Sequence, residues 1–295
     1  MFEKERIVGK ESLVKVAVCQ MALEFGKKEA NVRKTVEWIA KAADNGAGLI
    51  VLPELCNTGY AFNTREQAFA LAESIPEGPT TQAWAKVAQE KGVYVAAGIT
   101  EREGASLYNA SVLVGPEGYI GKFRKLHLYN EEKLFFEPGN LGIPVFKTPI
   151  GRIAMIICFD MWFPEDWRIA AISGADIVCV PTNWVKEPSL PDDTQTFGHY
   201  VAMVASNCNG IFVAAADRVG TERGIIFPGR SLITNPTGMP SVGPGSTTEE
   251  EILYADCNLT DARKLRWNDY NTLLHDRRVD FYGKTLGADI TPFPR

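Results

Sequence analysis

The sequence predicts a layered α/β fold, with helices covering both sides of sheets. Three observations carry this expectation. Short apolar runs of strand length alternate with stretches whose apolar residues recur at helical spacing. Helix-linked strands are mixed with strands joined by tight turns, so the sheets are not purely parallel. No linker or low-complexity stretch divides the 295 residues. The expected organisation is a polar leader over 1–12, one domain over 13–280 and a tail over 281–295.

The elements follow in order. LVKVAVCQ (13–20) reads as a buried strand. Over 30–43, Val32, Val36, Ile39 and Ala43 fall at helical spacing, and Gly46 and Gly48 end the helix. LIVLPEL (49–55) is the next strand, with helices expected over 64–73 and 80–91. VYVAAGIT (93–100) is a strand, and 106–125 a hairpin about Gly115, Pro116 and Gly118. GRIAMIICFD (151–160) is a strand, followed by a helix that starts on Pro164, a good first-turn residue. ADIVCVPTN (175–183) is a strand, 194–207 a helix and IFVAAADRVG (211–220) a strand. GRSLITNPTG (229–238) and EEEILYADCNL (249–259) look like paired strands, with 240–251 as a loop. There is an internal echo. Trp38 and Trp167 each lead into a helix ending in Gly-Ala, then a strand ending in proline. As a duplication, it predicts two similar halves with their sheets stacked about a pseudo-twofold axis.

Composition limits the function. Hydrophobic residues make up 45% and charged residues 23%, the proportions of a globular protein that can bury a core. The formal net charge of -5 lacks the basic footprint of a nucleic-acid partner. No apolar run approaches the ~18 residues of a membrane helix. The first twenty residues lack the basic, apolar and small-residue order of a signal peptide, so a cytoplasmic location is expected. The six cysteines are Cys19, Cys56, Cys158, Cys179, Cys208 and Cys257. They are spread out, with no Cys/His cluster at zinc spacing and so no expected metal site. Small buried hydrophobes account for most of them.

Three strand ends carry reactive residue types: Glu54, Lys125 and Cys158. Polar groups at strand ends converge on ligand sites in layered α/β folds. A thiol nucleophile needs a base for its proton and a cation for developing negative charge, and these three supply both roles without histidine. Each residue alone also has a bland explanation, as a solvated charge or a core thiol. There is no G-x-S-x-G elbow and no phosphate-binding glycine loop. His127, two residues from Lys125, could pair with a cysteine or simply fix neighbouring backbone.

The segments LIVLPELCNTGY, KFRKLHLYNEEKLFFEPGN and IAMIICFDMWFPEDWRIAAISGADIVCVPTNW resemble the three signature blocks of the nitrilase superfamily of carbon–nitrogen hydrolases. The three blocks occur in order, within a resemblance that runs from about residue 13 to about 280. It implies a four-layer αββα sandwich, paired into homodimers or larger homo-oligomers. It implies Glu54 as general base, Lys125 as stabiliser of the tetrahedral intermediate and Cys158 as nucleophile. A second glutamate upstream of the F-x-P-G element is implied, either Glu132 or its neighbour Glu131. The backbone N–H of Phe159 would join Lys125 at the oxyanion. No metal or organic cofactor is implied, and the partner is a small-molecule amide.

The residues after the nucleophile narrow the resemblance. True nitrilases resemble Cys-Trp-Glu here, whereas Cys158-Phe159-Asp160 looks like the amidase and carbamoylase branches. Carbamoyl-amino-acid hydrolases often place arginine at the next positions. Met161 and Trp162 stand there, which points to a neutral aliphatic or aryl-aliphatic amide. Tyr60, Trp162 and Trp184 are candidate pocket walls, and Asn183 a candidate hydrogen-bond partner. An N-carbamoyl hydrolase, a nitrilase and a non-catalytic binding member of the fold are the alternatives. The last would show a lost catalytic residue, but all four positions are filled.

Overall fold

The computed structural model describes residues 13–191, 194–264 and 268–286. The expected leader over 1–12 and residues 287–295 of the expected tail lie outside them. In chain order the elements are β1 (Leu13–Gln20), α1 (Lys28–Asp44), β2 (Leu49–Val51), α2 (Arg65–Leu71) and α3 (Pro79–Lys91). Then come β3 (Tyr94–Glu103), β4 (Ser106–Gly115), β5 (Gly118–Arg124), β6 (Val145–Thr148), β7 (Gly151–Met155) and α4 (Pro164–Ile172). The second half continues with β8 (Ile177–Pro181), α5 (Gly198–Asn209), β9 (Phe212–Ala216), β10 (Val219–Glu222) and β11 (Ile225–Pro228). It ends with β12 (Leu232–Thr234), β13 (Pro240–Val242), β14 (Glu251–Asn258) and α6 (Val279–Thr285).

Two six-stranded sheets form, in the orders β14-β1-β2-β3-β4-β5 and β13-β12-β9-β8-β7-β6, with β10 and β11 as a separate hairpin. Period-2 alternation decides what each strand faces. Val14, Val16 and Val18 of β1 pack with Leu49, Val51 and the second sheet. Ala17 and Cys19 point the other way, against Ile39 and Ala42 of α1 and Trp84 and Ala88 of α3. Trp167 and Ala170 of α4 and Ala202 of α5 cover the second sheet. The layers are therefore helix, sheet, sheet, helix.

The internal echo falls on equivalent places. β1, β2 and β3 run parallel with antiparallel neighbours on both sides, and β7, β8 and β9 do the same. Trp38 lies on α1 and Trp167 on α4, and each helix leads into the middle strand of its parallel trio.

Several expectations are corrected. The strand read over 49–55 stops at Val51, because Pro53 has no N–H for the ladder and the chain turns there. The strand read over 151–160 stops at Met155, and Cys158 opens a 3₁₀ turn that runs to Trp162. The strand read over 211–220 is split, since Asp217 turns its carboxylate to the Trp184 N–H at 2.9 Å. The segments 229–238 and 249–259 do not pair with each other. β12 pairs with β9 and β13, while β14 closes on β1 through eight residue pairs. The 240–251 segment is not all loop, because Pro240–Val242 forms β13. No helix among the described residues is long and apolar enough to cross a membrane.

Candidate active site

β2, β5, β7 and β8 all end at one edge of the sandwich, and the residues after them meet there. Glu54 follows β2, Lys125 follows β5 and Cys158 follows β7. The two sheets are tied at this edge by the Glu54 N–H donating to Thr182 O (3.5 Å) and Asn183 Nδ2 donating to Glu54 O (2.9 Å). Gly98 of β3 makes the turn at Glu54 possible. A Cβ there would sit 2.4 Å from Glu54 Cα, so only glycine admits the crossing backbone. Gly139 does the same for the other loop, where a Cβ would lie 2.1 Å from Arg124 O.

Lys125 is fully buried, and its Nζ lies 2.7 Å from Glu54 Oε1 and 2.7 Å from Glu132 Oε1. Asn109 Nδ2 also donates to Glu54 Oε1 at 2.7 Å, and Tyr60 OH donates to Glu132 Oε1 at 2.8 Å. Glu54 Oε2 is buried with no hydrogen-bond partner among the described residues. Of the two candidate glutamates, Glu132 is the buried one that meets Lys125, and Glu131 is exposed. Cys158 is 7% exposed and has φ 45°, in the left-handed region that a non-glycine residue rarely occupies. Leu55, next to Glu54, has φ 46°. Such strained residues cluster at functional sites.

The electrostatics follow from burial and these partners. Burial works against the Lys125 ammonium, but Glu132 and then Glu54 outweigh it and hold its pKa above the ordinary value. Burial raises the Glu132 carboxyl, and Lys125 pulls it partly back. Burial, then the Glu54 charge, push the Cys158 thiol well above its ordinary range, with Lys125 opposing. The Tyr60 hydroxyl is raised by burial and by Glu132.

The structure thus brings Glu54, Lys125, Glu132 and Tyr60 into one hydrogen-bonded cluster, in electrostatic reach of Cys158. Asn183 enters through its bond to the Glu54 backbone. The Phe159 ring packs edge-on to Tyr129 (5.2 Å) and tilted against Trp162 (6.0 Å). Trp162 is partly exposed and borders a groove with Tyr200 and Val204 of α5. Trp184 is buried in the core, with Gly198 against its indole. His127 bonds to Asp160 rather than to a cysteine. Sequence reasoning missed Asn109, whose signal was a single amide inside the apolar strand LYNASVLV, and Asp160, taken only as a motif position.

Over residues 15–266 the chain matches the family model described as carbon-nitrogen hydrolase. It is 43% identical over 270 residues to a protein of Pyrococcus abyssi named nitrilase, covering 92% of this chain and 99% of that one. It is 32% identical over 286 residues to a citrullinase of Francisella tularensis, covering 92% and 98%. A solved structure of an amidase mutant from Nesterenkonia sp. AN1 superposes with a TM-score of 0.76 at 25% identity, covering 94% and 98%. That structure is described as carrying the acetamide moiety of fluoroacetamide on its active-site cysteine.

Proposed function

The chain belongs to the carbon–nitrogen hydrolase family, and within it we propose that it is a thiol amidohydrolase. On this reading it cleaves a small neutral amide to a carboxylic acid and ammonia. The observation that carries it is the Lys125 ammonium held 2.7 Å from both Glu54 and Glu132, with Glu54 Oε2 left without a partner.

Cys158 Sγ attacks the amide carbonyl as its proton passes to Glu54 Oε2. Negative charge gathers on the substrate oxygen, where Lys125 and the Phe159 N–H stabilise it. The C–N bond breaks as Glu54 returns the proton to the leaving nitrogen, and ammonia departs. Water, deprotonated by Glu54, adds to the thioester; collapse releases the acid and restores the thiol. Glu132 holds Lys125 and is itself held by Tyr60.

The residues after the nucleophile support a neutral acyl group. Met161 is buried and Trp162 partly exposed, and neither side chain offers a cation to a substrate carboxylate. The relative named citrullinase favours a second reading, in which the scissile amide belongs to an N-carbamoyl group. Ammonia release from a panel of amides, nitriles and N-carbamoyl compounds tests both. Activity on nitriles alone would overturn the amide reading. Cys158→Ala is expected to fold and to lose turnover by more than about a thousandfold, and full turnover in that variant would overturn the mechanism.

A further inference from the structure

A half-buried cluster that the reaction does not use joins the two sheets beside the site. Asp160 lies two residues after Cys158, in the turn that follows β7. His127 lies two residues after Lys125, in the loop that follows β5. Asp160 is fully buried and accepts four N–H donors. Oδ2 takes the Ile157 N–H at 3.0 Å, and Oδ1 takes the backbone N–H groups of Leu126 (3.1 Å) and His127 (2.8 Å). The fourth donor is His127 Nδ1, 2.9 Å from Oδ1. One carboxylate therefore grips the residue before Cys158 and the two residues after Lys125.

The His127 ring is itself held. It stacks on Phe163 with centroids 3.5 Å apart and planes 9° apart. Its Nδ1 is 3.3 Å from Asp166 Oδ2, in the first turn of α4. A non-glycine residue at φ 45°, as Cys158 is, persists only where its surroundings over-determine it. The Asp160 side chain on the Ile157 N–H, and the Asp160 N–H on Ile157 O at 3.0 Å, close that turn.

We propose that Asp160 is a positioning residue that locks Lys125 opposite Cys158 across the two sheets, with His127, stacked on Phe163, keeping the Asp160 carboxylate in place. This rests on the reading of Cys158 as nucleophile and Lys125 as its oxyanion partner. The ligand atoms of the three residues lie within 4.8 Å of one another, a spacing that would also suit a cation. Asp160, however, spends both oxygens on N–H donors, and Nδ1 needs its hydrogen to reach Asp160.

The test uses the full chain. His127→Ala removes the donor, whereas His127→Asn places an amide N–H where Nδ1 was. Loss of the clamp displaces reacting groups without touching the substrate, so it acts on kcat and spares KM. Misplacement by about 1 Å costs up to about a hundredfold. His127→Ala is expected to lower kcat by about 10- to 100-fold with KM within about threefold. His127→Asn is expected to recover kcat to within about threefold of wild type. If His127→Ala does not fold, His127→Gln replaces it with the same expectation, because its longer side chain carries the amide past Asp160. Wild-type kcat in the Ala or Gln variant, or an Asn variant as slow as they are, would overturn the clamp. An inactive Cys158→Ala beside a fully active His127→Ala removes the clamp alone. An active Cys158→Ala removes the reading beneath it.

Discussion

Replacing Asn109 with leucine tests how firmly Glu54 must be held for its proposed role. Glu54 Oε1 accepts from Lys125 Nζ and from Asn109 Nδ2, each at 2.7 Å, and Oε2 has no partner among the described residues. The Lys125 N–H bonds to the backbone oxygen of Asn109 at 2.8 Å, a contact that survives the substitution. Asn109 Oδ1 has no partner among the described residues, so leucine strands no donor there. The change therefore removes one hydrogen bond to a carboxylate and little else. That bond fixes where Oε2 points, and without it the carboxylate can rotate away from Cys158. A hydrogen bond to a charged group is worth about 1.5–3 kcal/mol, and each ~1.4 kcal/mol lost from the transition state is about tenfold in rate. Asn109→Leu is therefore expected to lower kcat by about 10- to 100-fold while the variant still folds. Steady-state ammonia release beside a melting curve reads both. A kcat within twofold of wild type in the folded variant would refute the reasoning that this bond holds Glu54 for its proposed role.

Three further outcomes follow from the same contacts. Glu132→Gln keeps the shape but leaves Lys125 with one carboxylate. Loss of one charge-assisted bond predicts about a 10- to 100-fold fall in kcat, and steady-state kinetics within twofold of wild type would contradict it. Gly98→Ala drives a Cβ to 2.4 Å from Glu54 Cα. The turn must shift, so about 1–3 kcal/mol of stability is expected to be lost, with activity falling alongside. An unchanged urea midpoint would count against this. The Asp166 carboxyl is raised from 3.8 to about 7, by burial first and then by Asp160, against His127. A folded value above the unfolded one means the fold keeps a proton that the unfolded chain has released. That contribution is whole below about pH 4 and is lost as pH rises to about 7. Asp166→Asn has no such proton, so its melting temperature should gain on wild type between about pH 5 and 8, and parallel curves would refute this.

The buried centres of both sheets were legible because parallel strands covered on both faces read as continuous apolar runs. Strand partners were not. β14 pairs with β1 across more than 230 residues, and an apolar period names a face but no neighbour. The turn at Glu54 could have been read from Pro53, which ends the ladder. At the site, Glu54, Lys125 and Cys158 stood out as reactive types at strand ends. Asn109 did not, since one amide in a strand reads as an ordinary buried polar group. Asp160 was hidden for a different reason. Three of its four donors are backbone N–H groups, which no side chain in the sequence marks.

The charge balance of the cluster bears on when the Cys158 thiol ionises. One ammonium faces two carboxylates, all out of water, and burial disfavours each charge taken alone. The carboxylates keep Lys125 protonated. The Glu54 charge also adds to burial in holding the Cys158 thiol well above its ordinary range, more than Lys125 can offset. A resting thiolate–ammonium pair is therefore not the favoured state. On the proposed mechanism the sulfur loses its proton only as it attacks, and Glu54 Oε2 is the cluster oxygen free to take it. Lys125 is paired with the carboxylates rather than with Cys158. Proton transfer neutralises Glu54 at the moment the substrate oxygen becomes negative. The ammonium can turn toward that oxygen just when its own partner has lost its charge, so stabilisation grows in the transition state and not before.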